Sequence, residues 1–163
     1  MSMTQYNWDL EERVEDAFVA YIKELCSELA LVQAAYDVST AAFPMVVVEA
    51  HDSDNHTDTG RFTGRRKMTV TVNIITEALN RAGDTGSIEA LRTAREQHRA
   101  VKSSVIGILA GNEIHKNLND TQPENVLFSM AYMTGQSRDA GDGKIITMQD
   151  MEVIAQPNEL TAE

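Results

Sequence analysis

The spacing of apolar residues predicts two amphipathic helices. In the first, over residues 9–33, the apolar residues recur at steps of three and four and form one stripe along a charged helix: Leu10, Val14, Phe18, Tyr21, Leu25 and Leu29. The second helix begins after Ser87, which can cap its first turn, and ends at Gly111-Asn112. Its buried side is expected to consist of Ile88, Leu91, Val101, Val105 and Ile108, with Ala94 and His98 between them.

Two segments between these helices have the pattern of β-strands. Residues 45–50 contain three consecutive valines, which favours a central strand with apolar neighbours on both faces. Residues 66–76 alternate clearly, with Met68, Val70, Val72 and Ile74 on one side. Together they predict a hairpin whose long polar tip covers residues 52–65.

The second helix is followed by a short helical turn around Ile114 and Leu118 and by two more predicted strands. The strands cover residues 125–134 and 144–156 and are joined by a polar loop over residues 135–143. A bulge is expected near Asp150, where the alternation of the last strand weakens. Both alternating sets of the third strand are apolar, which is typical either of adaptable core filling or of a sheet face that the two helices leave uncovered for a contact.

The order helix–strand–strand–helix–strand–strand predicts an α+β fold. Its simplest form is a mostly antiparallel four-stranded sheet with two amphipathic helices packed on one face. The 163 residues suit a single domain over residues 1–163, with a core over residues 9–156 and a short tail over residues 157–163. No apolar run approaches the ~20 residues of a membrane span, and the first residues lack signal-peptide features. We therefore expect a soluble protein made and kept in the cytosol.

The charge balance excludes one class of function and suggests another. Lys and Arg total 14 and Asp and Glu total 25, which gives a net charge of −11 and disfavours general nucleic-acid binding. Against this acidic background stands one basic cluster, formed by Arg61, Arg65, Arg66 and Lys67. It serves either for solubility and a few salt bridges or as one half of a self-complementary surface. In the second interpretation, the basic cluster of one subunit meets the acidic first helix of the next.

None of the candidate metal-binding or catalytic motifs in the sequence is complete. The acidic loop from His51 to Asp58 lacks the glycine and the bidentate glutamate of a calcium loop, and its two histidines lack a fixed spacing for zinc. Neither Glu49 nor Glu152 is followed by the lysine of a metal-dependent nuclease. Cys26 and His98 fall on apolar helix sides and are expected to be packed core residues. We therefore expect no catalytic residue, no metal and no cofactor.

Several short stretches occur in a recognisable order between residues 10 and 156. They are the stripe of the first helix, Phe43-Pro44 followed by Met45-Val46-Val47-Val48, the alternating Val70–Ile74, Ile108-Leu109, Leu118-Asn119 and a closing Glu152–Ala155. In length, element order and pattern, the chain resembles the tail terminator, or tail completion, proteins of long-tailed bacteriophages. The resemblance implies a non-enzymatic helix-plus-sheet domain that forms a six-fold ring, caps the tail tube and docks the head connector.

The resemblance also implies partners and a location. The partners are further copies of the chain in a homo-oligomeric ring, a hexamer, together with the tail tube protein and the head–tail connector or stopper protein. DNA would only pass through the ring as cargo, which suits an acidic subunit that does not hold phosphate. The expected location is the neck of the virion tail, after synthesis in the host cytoplasm and without a membrane.

Within this picture the basic cluster has an expected role. Arg61, Arg65, Arg66 and Lys67 are expected to dock against acids of an adjacent subunit or of a tail or connector protein. The polar loops over residues 52–60 and 135–143 are expected to project from the sheet edge and to become ordered at interfaces.

Two other classes of function remain open at this point. One is a different neck, head-completion or minor tail adaptor protein, and the other is a small cytosolic α+β enzyme or binding module. Assembly on tail tubes separates the neck proteins from the module, because a module has no affinity for a tube.

Overall fold

The structure, a computed structural model, describes residues 10–54, 65–78, 88–121 and 126–157. The described residues form three α-helices, one short 3₁₀ helix and five strands, which confirms the predicted α+β class. The helices are α1 (Leu10–Leu25), α2 (Ile88–Leu109) and α3 (Ile114–Thr121), and the 3₁₀ helix is Ala35–Asp37. The strands are β1 (Leu31–Ala34), β2 (Met45–Asp54), β3 (Arg66–Glu77), β4 (Val126–Gly141) and β5 (Lys144–Pro157).

The strands form one mixed sheet in the order β1-β2-β3-β5-β4. β1 and β2 are parallel, whereas the three other neighbouring pairs are antiparallel. The predicted hairpin of β2 and β3 is present, but residues 55–64 of its predicted tip lie outside the described residues. The prediction of a four-stranded sheet was wrong, since the described residues contain a fifth strand and one parallel pair.

The additional strand comes from a segment that the sequence predicted as the end of the first helix. α1 ends at Leu25 rather than at Gln33, and β1 pairs with β2 instead. Leu25 continues the helical spacing but is 50% exposed, so the spacing there does not mark a buried face. Pairing with β2 supplies hydrogen-bond partners for the backbone of β1 and buries Val32 and Ala34. A contact distant in the sequence thus overrides the local pattern.

The core lies between the helices and one face of the sheet, which we call the inner face. Along β3, Met68, Val70, Val72 and Ile74 are fully buried, as the alternation predicted. The register places them beside the buried alternate residues of β2 and β5. On the helical side, Phe18 of α1 meets Phe128 of β4 edge to face, with ring centroids 5.9 Å apart.

α2 buries a narrower stripe than its sequence predicted. Ala94, His98 and Val105 are buried, but Leu91 is 44% exposed, so its predicted burial was wrong. The predicted cap, Ser87, lies outside the described residues. None of the helices that the structure describes is long and apolar enough to cross a membrane.

The short turn predicted around Ile114 and Leu118 is an α-helix of eight residues, α3. Both apolar residues are fully buried. The described residues therefore contain three α-helices and not the predicted two. Just before the end of α3, the Asn119 side chain acts like a short strand partner for Phe128 of β4. The Phe128 N–H donates to Asn119 Oδ1 at 2.7 Å, and Asn119 Nδ2 donates to the Phe128 carbonyl at 2.9 Å.

β4 and β5 form a long hairpin where the sequence predicted a loop over residues 135–143. β4 continues to Gly141, and the chain turns at Asp142 and Gly143, whose φ angles are +53° and +72°. Two positive φ angles are what a tight two-residue hairpin turn requires. The register shifts between Met133 and Gln136, so β4 carries an extra residue opposite Asp150. The irregularity expected near Asp150 is therefore present, but on the neighbouring strand.

Candidate interaction surfaces

The structure describes three of the four basic residues that were predicted to form a contact surface. Arg65 is exposed just before β3, while Arg66 and Lys67 are the half-buried first residues of that strand. Successive strand residues point to opposite faces of a sheet, so Arg66 and Lys67 lie on different sides. Arg61 lies outside the described residues. The three described members are consecutive along the chain, but Arg66 and Lys67 lie on opposite faces of the sheet.

Lys67 takes part in a chain of contacts on the face opposite the core, which we call the outer face. Lys67 Nζ lies 3.2 Å from Glu152 Oε1, and the Tyr132 hydroxyl donates to Glu152 Oε2. The hydrogen bond from Tyr132, followed by that from Lys67, lowers the pKa of the Glu152 carboxyl. The same hydrogen bond raises the pKa of the Tyr132 hydroxyl. The contacts join β3, β5 and β4 across the outer face.

The rest of the outer face mixes apolar and neutral polar side chains. Ile75, Ile146, Met148 and Ile154 are half-buried, and Met130 and Tyr132 are 45% and 42% exposed. The polar groups are engaged within the sheet: the Thr71 hydroxyl donates to Asp150 Oδ1 at 2.8 Å. Each of these apolar residues keeps contact with solvent. Among the described residues, therefore, no helix covers this face. Such a surface is typical of a protein contact.

The free edge of β4 is poorly suited to pairing with another strand. Asn119 occupies its beginning at Phe128. Two bulges follow, at the register shifts after Phe128 and after Met133, and Arg138 and Asp139 place charges farther along. Bulges and charges are the means by which edge strands avoid pairing with other chains. A partner of this sheet is therefore expected to contact side chains of a face, and not the backbone of this edge.

A cleft of about 730 Å³ lies along this edge, between the end of α2 and β4. Its described lining is largely apolar and includes Leu109, Met130 and Met133. The titratable side chains among these lining residues are His115 and Tyr132. Ser129 adds a hydroxyl to this lining, but no Asp or Glu is among the described lining residues, so they do not form an acid–base–nucleophile set.

His98 is a packed core residue, as its position on α2 predicted. It is 6% exposed, with the Thr76 hydroxyl 2.8 Å from Nδ1 and the Thr147 hydroxyl 2.7 Å from Nε2. Burial, with a smaller effect of Lys102, lowers the pKa of the imidazole. A neutral ring satisfied by two hydroxyls connects α2 to β3 and β5 and is not available for catalysis.

Glu15 is a buried carboxylate that serves the backbone. It is 5% exposed, and its two oxygens accept from the N–H groups of Ala50, at 2.9 Å, and Tyr36, at 3.3 Å. Ala50 lies two residues beyond the last β1–β2 pair, where β2 has lost its strand neighbour. Burial is the main cause that raises the pKa of the Glu15 carboxyl. Glu15 therefore supplies the hydrogen-bond acceptor that a neighbouring strand would give β2 beyond the end of β1.

Cys26 lies directly after α1 and is 3% exposed. Its thiol lies 3.9 Å from the Ser104 carbonyl of α2, and burial raises its pKa. A buried thiol with a raised pKa is a poor nucleophile, in agreement with the predicted core role.

The predicted metal and nuclease alternatives gain no support from the described residues. No group of three or more His, Cys, Asp or Glu side chains among them could hold a metal ion. His51 Nε2 lies 2.7 Å from Glu49 Oε1 at an exposed position of β2. Residues 55–58 of the acidic loop lie outside the described residues.

A second basic surface, which the sequence analysis missed, lies at the hairpin end of the inner face. There α2 and the β4–β5 hairpin border a groove of about 950 Å³. Five cations line it: Arg95, Arg99, Lys102, Arg138 and Lys144. Leu91 and Ile145 add apolar surface, and Asp139 and Asp142 lie in the hairpin wall. We call this surface the basic groove. The i, i+4, i+7 spacing on α2 could have revealed its first three members.

An acidic surface surrounds Tyr36, in the 3₁₀ helix beside α1. The Tyr36 hydroxyl donates to Asp16 at 2.8 Å to Oδ2 and 2.9 Å to Oδ1. This hydrogen bond and the nearby charges of Asp37 and Glu12 raise the pKa of the Tyr36 hydroxyl. Tyr36 is 51% exposed and Val38 beside it is also 51% exposed. We call this group of one tyrosine and three carboxylates the Tyr36 patch.

Comparison with known proteins adds no family to these observations. No protein-family model matches the chain, and no curated protein sequence matches it.

Proposed function

We propose that this protein is a structural component of a phage tail. It acts as a tail terminator, whose copies form a hexameric ring at the head-proximal end of the tail tube and join the tube to the head connector. The observation that carries the proposal is the outer face, which is a broad sheet surface with exposed apolar side chains and no cover among the described residues. A face of this kind is buried when copies of the chain or other virion proteins assemble on it.

The charge of the protein supports the same function. With a net charge of −11, a ring of these subunits repels the phosphates of DNA and allows the genome to pass without being held. The polar groups of the outer face bond to one another within the sheet, as Thr71 does to Asp150 and Tyr132 to Glu152. They support a contact surface better than a site that polarises a substrate.

Light scattering on the purified protein, with and without isolated tail tubes, tests the proposal. The expected result is a ring in solution or a cap bound at the tube end. A monomer without affinity for tubes would contradict the proposal and favour the binding module. Binding at another position or stoichiometry in the neck would favour a different adaptor protein.

A variant of the outer face tests whether this surface forms the assembly contact. Met148→Glu places a charge at a half-buried position of β5 and is expected to abolish assembly while the monomer stays folded. Leu25→Glu is the matched control, because Leu25 is 50% exposed at the end of α1 and away from the outer face. Equal assembly of both variants would show that the outer face is not a contact.

The predicted basic cluster is tested separately. Arg65→Glu with Arg66→Glu is expected to block ring or virion assembly and to leave the monomer folded. Lys67 is left unchanged, so that its ion pair with Glu152 stays intact. Unaltered assembly would count against a role of this cluster.

A further inference from the structure

The basic groove collects positive charge on a strongly acidic protein. Arg95, Arg99 and Lys102 come from successive turns of α2, and Arg138 comes from the inner-face side of β4, opposite Thr147. Among the described residues, no carboxylate lies within salt-bridge distance of these side chains or of Lys144, the fifth cation of the groove. The five cations outnumber the two acids of the groove wall, Asp139 and Asp142, and form no ion pair with them, so they repel one another. A carboxylate-bearing partner would relieve that repulsion.

The groove is also partly apolar and open. Leu91 is 44% exposed although it is a large aliphatic side chain, and the hairpin wall contributes Ala140 and Ile145. A volume of about 950 Å³ has room for several side chains. The fitting occupant is therefore an apolar or aromatic side chain accompanied by carboxylates, and not a lone small anion.

The Tyr36 patch has this composition. Its exposed tyrosine is an amphipathic side chain of the kind that is enriched in protein contacts, and three carboxylates surround it. Val38 adds an exposed apolar side chain next to it. The patch and the groove thus match in both charge and apolar content.

The two surfaces lie at opposite ends of the helix-covered side of the sheet. Glu15, which binds the backbone of Tyr36, also binds Ala50, and Ala50 pairs with Val70 of β3. At the other end, His98 in the groove region bonds to Thr76 of the same strand. Six residues of strand, about 20 Å, separate these anchor points. Within one chain the patch is therefore too far away to fill the groove.

We propose that the Tyr36 patch of one copy docks into the basic groove of the next copy. The contact joins two different surfaces, so each bound copy presents the same pair again and the association continues head to tail until a ring closes. This inference rests on the ring of the proposed function and names the surfaces that join its subunits. The outer face remains available for the other contacts of the assembly.

The first experiment measures self-association of the full chain by sedimentation velocity, up to about 1 mM protein. The wild type is expected to associate at about 50 mM salt and to dissociate at about 500 mM salt, since the contact is electrostatic. Arg95→Glu with Arg99→Glu is expected to weaken association by at least about tenfold. A wild type that stays monomeric throughout would overturn the inference.

The control has the same change in net charge at positions outside the groove. Arg92→Glu with Lys116→Glu alters two exposed cations, one on α2 and one on α3, and is expected to change association by less than about twofold. If this control weakens association as much as the groove variant does, net charge and not the groove is responsible.

A charge swap identifies the partner surface. Glu12→Lys with Asp37→Lys reverses the patch and is expected to abolish association on its own. When this variant is mixed with the groove variant, each reversed surface meets its complement, and association is expected to return. No recovery in the mixture would contradict the pairing, even if both variants fail alone.

Different results would contradict the tail function and the contact between the Tyr36 patch and the basic groove. Recovery in the mixture without any binding to tail tubes would uphold the contact and contradict the tail function. Capping of tubes by the groove variant at wild-type affinity would uphold the tail function and contradict the contact. Association that stops at a dimer would uphold the contact but not the ring.

Discussion

The inner and outer faces of the sheet consist of alternate residues of the same strands, yet the inner face is buried and the outer face keeps contact with solvent. On β3, Ile74 is fully buried under the helices, whereas its neighbour Ile75 keeps contact with solvent on the outer face. Thr147 of β5 is fully buried against His98, whereas Thr71 of β3 is half-buried beside Asp150. The comparison shows that residue type alone does not separate the buried face from the solvent-exposed one. What separates them is the cover that the helices provide.

The largest effect is expected from truncating the two neighbouring isoleucines. Ile74→Ala should reduce the free energy of unfolding by about 2–5 kcal/mol, because it leaves a cavity among fully buried side chains. Ile75→Ala should cost less than half as much, since solvent already reaches that side chain. Denaturant unfolding of both variants measures the difference. Equal losses would mean that the outer face is part of the stabilising core.

The next effect concerns Glu15, whose two oxygens each accept a backbone N–H. Glu15→Gln replaces one acceptor by a donor that faces an N–H, and should cost about 2 kcal/mol. Glu12→Gln, at an exposed position of α1, is the control and should change stability by less than about 0.5 kcal/mol.

Glu15 also predicts a dependence on pH. Because burial raises the folded-state pKa, its stabilising contribution is complete below the ordinary value of 4.5 and decreases as the pH rises through the raised pKa. The stability difference between the wild type and Glu15→Gln should therefore be larger at about pH 4 than at pH 7. A stability difference that is larger at pH 7 than at pH 4 would show that the pKa of Glu15 is lowered and not raised in the folded protein.

A smaller effect is expected from the two threonines. Thr147→Val removes the hydroxyl partner of His98 Nε2 and should cost about 1 kcal/mol, because a buried ring nitrogen loses its hydrogen bond. Thr71→Val, on the outer face, should cost less, since water can replace the lost partner of Asp150. Thermal unfolding of the two variants, compared with the wild type, gives the order. A larger loss in Thr71→Val would contradict it.

The smallest effect on stability is expected from Glu152 of the outer face. Glu152→Gln should leave the unfolding midpoint unchanged. It should bring the pKa of the Tyr132 hydroxyl back toward its ordinary value, since the hydrogen bond to Glu152 is the main cause of its rise. Titration of the tyrosine signals by NMR measures this change. An unchanged pKa of Tyr132 would show that the two side chains are not bonded in solution.

The sequence predicted most correctly the elements whose patterns are long and local. The alternation of β3 placed Met68 to Ile74 on the core side, and the register confirms that assignment. The fifth strand was missed because β1 has only four residues and exists through its parallel pairing with β2, a contact that no local pattern reveals.

The missed half of β4 and the missed basic groove have the same cause. Residues 135–141 are mostly polar and exposed although they belong to a strand, and a polar strand resembles a loop in sequence. Once they were predicted as a loop, Arg138 could not be placed beside Arg95, Arg99 and Lys102. The spacing on α2 can reveal Arg95, Arg99 and Lys102, but the groove also depends on a hairpin that brings Arg138 and Lys144 beside them.

The position of Cys26 gives this protein a natural reporter of its own motions. The chain has one cysteine, and that thiol is buried directly after α1 and beside the Ser104 carbonyl of α2. A thiol reagent reaches this buried side chain when the structure around it opens locally, so the labelling rate of the unmodified chain measures how often that opening occurs. Protection that increases when copies associate would then report that association without any added probe.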